Sequence, residues 1–338
     1  MKQRTLLVLI FLLSGTMALN AQVSLTATSG TTTGSYTTLG AAFANINNGT
    51  HQGVITITLT ASTNEGNTTA KLYYSGYNGT SNYTSINIYP IVSGVNVLGN
   101  RNAPMIDFDG ADNVTVDGRV NATGLTVDLV ISNSNTSWDN YTSTIRFING
   151  ATNNTIKYCK IQGSTCHGTS GILCFGTTAG VGNSNNTVDN NAITNANGLP
   201  PFNAIFSNGT TGNPNSSNTI SNNNIYDVWN ILWTHTYAIN LSEGNDGGNA
   251  YNSGWTINGN SFYQTIEYVP IDPANQNINI IYINAQAGTG FNISNNYLGG
   301  STPLCGGTWI KTRKNNSFNA ISLNAGTGTA SNIQGNTI

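Results

Sequence analysis

Apolar and polar positions along this chain follow a recurring pair: two apolar residues five apart, with Gly or Asn between them in all but one repeat. Aligned on the first member, the series runs Val116, Ile156, Val188, Ile220, Ile257, Ile293 and Ile333, at intervals of 32 to 40 residues. Five residues after each of the last six stands Ile161, Ile193, Ile225, Phe262, Leu298 or Ile338. A fixed local spacing inside a variable period predicts a constant corner between two short strands, joined to loops of differing length. Two positions after the first apolar residue stand Gly118, Tyr158, Asn190, Asn222, Gly259, Asn295 and Gly335. Gly and Asn accept the left-handed backbone that a sharp bend needs, so this position is predicted to take it. The next position carries Asn191, Asn223, Asn260, Asn296 and Asn336 in five consecutive repeats. Stacked at the strand spacing of about 4.8 Å, their side-chain amides form a ladder that passes hydrogen bonds from rung to rung.

Upstream of each corner lies another short strand, with apolar pairs Ile145 and Phe147, Ile172 and Cys174, Ile239 and Leu241, Ile281 and Ile283, and Ile321 and Leu323. Ile205 and Ser207 fit this position less well. Each unit therefore carries at least three strands, cannot bury its apolar face alone, and must stack on its neighbours. Before Met105 the pattern differs. Leu39, Ala42, Phe43 and Ile46 make one apolar stripe at helical spacing, predicting a helix over Tyr36 to Asn47 that starts at Ser35 and closes at Asn48-Gly49. Val54 to Leu59, Ser85 to Tyr89 and Asn96 to Gly99 alternate as strands, and Ala61 to Thr84 reads as a long polar loop. The expected division is 1–21 signal peptide, 22–104 N-terminal cap and first strands, and 105–338 repeats, cut short in mid-rung at Ile338.

Composition sharpens this picture. Charged residues are 7% of the chain, against a usual share of about 25%. The recurrent β-branched and aromatic residues nonetheless separate it from a disordered polar chain. A net charge of −2 gives no basic footprint, which disfavours nucleic acid and anionic membrane as partners. Lys2 and Arg4 before the apolar run Leu6 to Leu13, followed by the small residue Ala21, predict a secretory signal. That run is too short to span a bilayer, so the mature chain is expected outside the cytoplasm with no membrane span. Cys159, Cys166, Cys174 and Cys305 are too few for a disulfide framework. The spacing of the first three matches no short metal-knuckle pair, which leaves buried thiols or one local bridge.

On these residues, Gln22 to Ile338 resembles the right-handed parallel β-helix of the pectate-lyase-like superfamily. The helix Tyr36 to Asn47 is similar to that family's N-terminal cap, and the five ladder asparagines to its asparagine ladder. Tyr36 to Phe43, Asp107 to Gly118 and Ser143 to Thr155 resemble stretches of large exported repeat proteins of Gram-negative bacteria, which often end in a sorting domain for type IX secretion. The resemblance implies an all-β solenoid of about seven coils with an N-terminal capping helix.

Candidate chemistry is sparse. Asp107, Asp109, Asp112 and Asp117 are the densest acidic cluster. Asp107 and Asp109 point to one face of a strand, where they could hold Ca²⁺ or act as a carboxylate pair on a polysaccharide; the alternative is a solvated corner. The acid and base sets that the resemblance implies for lyases and hydrolases do not map here, because Arg146, Lys157 and Lys160 are read as lacking acids at matching positions in adjacent coils. His51, His167 and His235 are isolated. The segment Tyr226 to Tyr237 places Trp229, Trp233 and Tyr237 in one connection, either as a sugar-stacking face or as packing on the flank of the solenoid. Two functions remain: a non-catalytic rod serving as adhesin, glycan-binding module or spacer, with no catalytic residue, metal or cofactor; and a lyase or hydrolase of acidic polysaccharide using Asp107 and Asp109, with Ca²⁺ as the possible cofactor. The expected partner is a polysaccharide or a host or cell-surface glycan.

Overall fold

The computed structural model describes residues 21–177, 180–231, 235–244, 248–269, 276–312 and 317–338. Nearly all of the signal segment, and Trp233, lie outside them. Among the described residues the chain is all-β apart from one α-helix and two single-turn 3₁₀ segments. Its strands form an 11-stranded first sheet, two 8-stranded sheets and one two-stranded pair. From His51 onward the chain visits first, second and third sheet in the same cyclic order. His51–Leu59, Thr63–Gly66 and Ala70–Tyr73 make the first circuit, and Asn292–Ser294, Tyr297–Leu298 and Ser317–Ala325 the last complete one. Every neighbouring pair in these circuits is parallel, an arrangement compatible with a β-solenoid.

The corner alignment matches the register. Val116 pairs with Ile156, then come Val188, Ile220, Ile257, Ile293 and Ile333. Ile161, Ile193, Ile225, Phe262 and Leu298 follow one another in the second sheet. Three expectations need correction. The third-sheet partners of Ile145 and Phe147 are Leu173 and Phe175, so the inward pair of that strand is one residue later than Ile172 and Cys174. All four positions are apolar, and the alternation that normally sets the face is silent there. Second, Ala61 to Thr84 contains the opening strands of the second and third sheets, which are short and polar enough to read as a loop. Stacking thus begins well before Met105. Third, the helix α1 spans Leu39–Asn47, later than expected at its start, with Thr38 rather than Ser35 as its cap. Tyr36 ends a strand, Thr33–Tyr36, of an antiparallel hairpin that extends the first sheet.

α1 buries the predicted stripe of Leu39, Ala42, Phe43 and Ile46. The Thr38 Oγ1 accepts from the Ala41 amide at 3.1 Å. Its first two amides, Leu39 and Gly40, donate to the buried Glu65 carboxylate at 3.0 and 2.9 Å, which places a negative charge at the positive end of the helix dipole. Asn47 closes the contact with the third-sheet edge, donating to the Lys71 carbonyl at 2.8 Å and accepting from the Tyr73 amide at 3.0 Å. Phe108, Phe147 and Phe175 follow one another along the third sheet, and Phe175 meets Trp255 from the corner that enters the first sheet, with ring centroids 4.7 to 5.5 Å apart.

Buried amides run through the corners. Asn223 Oδ1 accepts from the Asn191 backbone N–H at 2.9 Å and from Asn191 Nδ2 at 3.0 Å. The Asn223 Nδ2 donates to Asn260 Oδ1 and to the Val188 carbonyl, both at 2.9 Å. Asn260, Asn296 and Asn336 repeat the motif to the last rung. A second column, not read from the sequence, links Asn154, Asn186 and Asn218 at the corner entering the first sheet, at 3.0 and 3.1 Å between side chains. It ends where Trp255 takes the equivalent place and donates its indole N–H to the Asn215 carbonyl at 2.8 Å. The left-handed bend is present at Tyr158, Asn190, Asn222, Gly259, Asn295 and Gly335, but not at Gly118. Gly118 is needed for a different reason: a Cβ there would sit 2.0 Å from the Tyr158 carbonyl oxygen.

Candidate functional site

Charged side chains are few, and the ion pairs among the described residues fall in two columns. On the third sheet, Lys71, Asp107 and Arg146 are register neighbours. Arg146 grips Asp107 with two hydrogen bonds of 2.8 Å, and Lys71 lies 3.3 Å from Asp107 and 3.0 Å from Asp109. Asn149 also donates to Asp109. The Asp107 side chain is 1% exposed. Burial alone lowers the pKa of Lys71 and of Arg146, but the neighbouring carboxylates outweigh it, so both cations are held above their ordinary values. The reading that Arg146 and Lys157 lack matching acids is therefore corrected: strand stacking sets Arg146 directly beside Asp107, and Lys157 directly beside Asp117. Asp107 and Asp109 do share one neighbourhood, but as the acceptors of fixed ion pairs.

On the first sheet, Asp117 takes Arg119 Nε at 2.8 Å and Nη2 at 2.6 Å, with Lys157 Nζ at 3.4 Å. Arg119 also stacks over the Tyr158 ring at 4.2 Å. Burial alone raises the Asp117 carboxyl, yet the Arg119 hydrogen bonds and charge, with Lys157 behind them, hold it below its ordinary value. A folded-state value below the unfolded one means stability that is complete above the unfolded pKa and is lost as pH falls through the folded one. The thermal stability of the wild type relative to Asp117→Asn is expected to hold down to about pH 5 and to shrink as pH falls past the ordinary Asp value of about 3.9 toward the lower folded one. A difference independent of pH would show that the carboxylate charge contributes nothing.

The aromatic connection does not form an open face. Trp229 is fully buried, with its ring 4.4 Å from Trp309. Tyr237 is 3% exposed and packs against Phe202 and Tyr282. The expectation that these rings stack on a sugar is corrected for both, since a ring without accessible surface offers no face to a ligand. The burial follows from Val228 and Ile231, which draw the connection onto the flank of the core. All four cysteines are free thiols. Burial pushes Cys174 up to about 12 and Cys159 further in the same direction. Among the described residues no group of three His, Cys, Asp or Glu is placed to hold a metal ion, and no helix is long and apolar enough to cross a membrane.

Set against known protein families, curated proteins and solved structures, the chain matches none. What the site can do follows from its own residues. A depression of about 610 Å³ along the second sheet is lined by Asn, Gly, Ser and Leu98 without a titratable group. The groove that brings charged, aromatic and hydroxyl groups together is a smaller one beside Asp117. Sequence reading missed it, although one signal was present. Asp117, Lys157 and Asp189 each stand one residue after an aligned apolar position, Val116, Ile156 and Val188, which already places them in one column.

Proposed function

We propose that this protein is an exported, non-catalytic rod, a right-handed parallel β-helix of the pectate-lyase-like kind that serves as a structural or adhesive module at the outer cell surface. One observation carries the reading: Asp107 and Asp109, the carboxylates that a lyase or hydrolase would use, are engaged by Arg146, Lys71 and Asn149. A carboxylate held by a bidentate guanidinium is a poor general base and a poor Ca²⁺ ligand, because either role requires displacing the cation. The buried asparagine columns support the same reading, since they give the stack a repeating internal scaffold that owes nothing to a ligand. Export is supported by Lys2, Arg4 and the apolar run Leu6 to Leu13. Purified protein incubated with polygalacturonate, alginate or xylan, with and without Ca²⁺, is expected to release neither unsaturated nor reducing ends. Turnover that disappears in an Asp107→Asn, Asp109→Asn variant of unchanged fold would overturn the proposal.

A further inference from the structure

Along the outer face of the first sheet lies a groove of about 320 Å³, lined by Asn87, Tyr89, Thr115, Asp117, Arg119 and Lys157 among others. Its roof is an insertion at a corner that every later rung keeps short. Fifteen residues separate Val116 from Ile131, whereas five separate Ile156 from Ile161, their register partners on the next rung. The extra chain leaves the sheet at Gly118 and returns at Asp128, whose amide donates to the Gly118 carbonyl at 2.9 Å and pinches the loop shut. Arg119 holds the loop from within, bonding Asp117 on the sheet and, at 3.0 Å, the Gly124 carbonyl on the loop. Asn121 and Ala122 both sit at φ 54°, and Ala122 lines the groove. Left-handed backbone at an alanine is strained, and such strain persists where the surroundings fix it and concentrates at binding sites. A corner of two residues suffices for every later rung, so the stack does not need this loop.

The lining offers a specific chemistry. Tyr89 is an aromatic in a register column otherwise made of small polar or charged groups, with Thr58 before it and Asp117, Lys157, Asp189 and Ser221 on later rungs. The Asn87 amide and the Thr115 hydroxyl lie on adjacent rungs and have no side-chain partner among the described residues. Arg119 takes Asp117 by two short hydrogen bonds, whereas the Lys157 ammonium, 30% exposed, reaches Asp117 only at 3.4 Å and among the described residues pairs with no other carboxylate, which leaves part of it open to the groove. Asp189, on the far side of Lys157, is engaged by Asn190, Ser221 and Asn222 at 2.6 to 2.9 Å. An aromatic wall, an amide and a hydroxyl without side-chain partners, and one part-exposed ammonium in a concave site are what a sugar ring with a negative substituent requires.

We propose that the groove under the 119–127 loop binds a saccharide unit carrying an anionic group, with Tyr89 against the ring, Asn87 and Thr115 on its hydroxyls and Lys157 on the sulfate or carboxylate. The proposal rests on the reading of the protein as a non-catalytic surface module but can fail separately from it, because it is tested by binding and that reading by turnover. Titration calorimetry of the full chain is the measurement, with a κ-carrageenan tetrasaccharide as the sulfate source, a tetragalacturonate as the carboxylate source and cellotetraose as the neutral control. At least one anionic probe is expected to bind, at least tenfold more tightly than cellotetraose, and the preferred one identifies the substituent. Lys157→Gln and Tyr89→Ala, each checked for an unchanged melting temperature, are expected to weaken that binding at least tenfold. Lys160→Gln, on the second sheet, is expected to leave it unchanged. Binding of neither anionic probe, equal binding of cellotetraose, unaffected binding by the two groove variants, or equal loss with Lys160→Gln would each overturn the proposal.

Discussion

Replacing Arg146 by Met is expected to destabilise the protein by about 3–5 kcal/mol, the usual cost of leaving one member of a buried ion pair without its partner. Asp107 is 1% exposed and takes two 2.8 Å hydrogen bonds from Arg146. Lys71 reaches the same carboxylate at 3.3 Å, but from a side chain one-third exposed and shared with Asp109 at 3.0 Å, so it compensates only in part. The double variant Asp107→Leu, Arg146→Met removes both charges from a column whose next members, Cys174 and Phe206, are already apolar and fully buried. It is expected to recover most of the loss, since an apolar pair of similar volume is often no less stable than the ion pair it replaces. Urea unfolding of the four proteins of the cycle measures the coupling directly. A single variant within about 1 kcal/mol of the wild type would show that Asp107 is hydrated and that the pair is an ornament of the surface. Such an outcome would also reopen Asp107 as a group free to act on a ligand.

The stacking of this chain was legible because one corner is nearly invariant. Ile220 and Ile225, with Asn222 and Asn223 between them, specify two inward side chains, a left-handed bend and a buried amide within six residues, and all four occupy those places. Legibility failed where the local pattern is silent. Ile172-Leu173-Cys174-Phe175 is apolar at every position, so only pairing with Ile145 and Phe147 settles which two point inward. Thr63–Gly66 is too short and polar to announce itself as the first strand of the second sheet, and stacking under Val95–Gly99 makes it one. The ion pairs failed for another reason. Lys71, Asp107 and Arg146 are more than thirty residues apart in sequence and become neighbours only once the register is imposed. Extending the third-strand series one unit back would have supplied that register for Asp107, which lies between Ile106 and Phe108 as Arg146 lies between Ile145 and Phe147. Reading the polar residues in the same frame as the apolar ones recovers both charged columns, including the one beside the groove.

Substituting Asn223 by Val tests the amide column at its middle. The expected loss is about 3–5 kcal/mol, built from groups rather than from the residue as a whole. Two donors of Asn191, its backbone N–H and its Nδ2, lose their shared acceptor. The Val188 carbonyl and the Asn260 Oδ1 each lose a donor. Each buried polar group left unpaired costs about 1–3 kcal/mol. Asn260 keeps a second donor from the Asn223 backbone N–H at 3.0 Å, which holds the total below the simple sum. Valine is also β-branched and close to Asn in size, so the loss reports hydrogen bonding more than an empty cavity. The comparison that isolates the column is Asn336→Val on the last rung. Asn336 accepts the same pair of bonds from Asn296 but is only part-buried, so water can take over the orphaned donors. Its loss is expected to be less than half that of Asn223→Val, measured by thermal unfolding in parallel. Equal losses at the two positions would mean that burial of the column does not set its contribution, and no loss at Asn223 would mean that solvent reaches the corner.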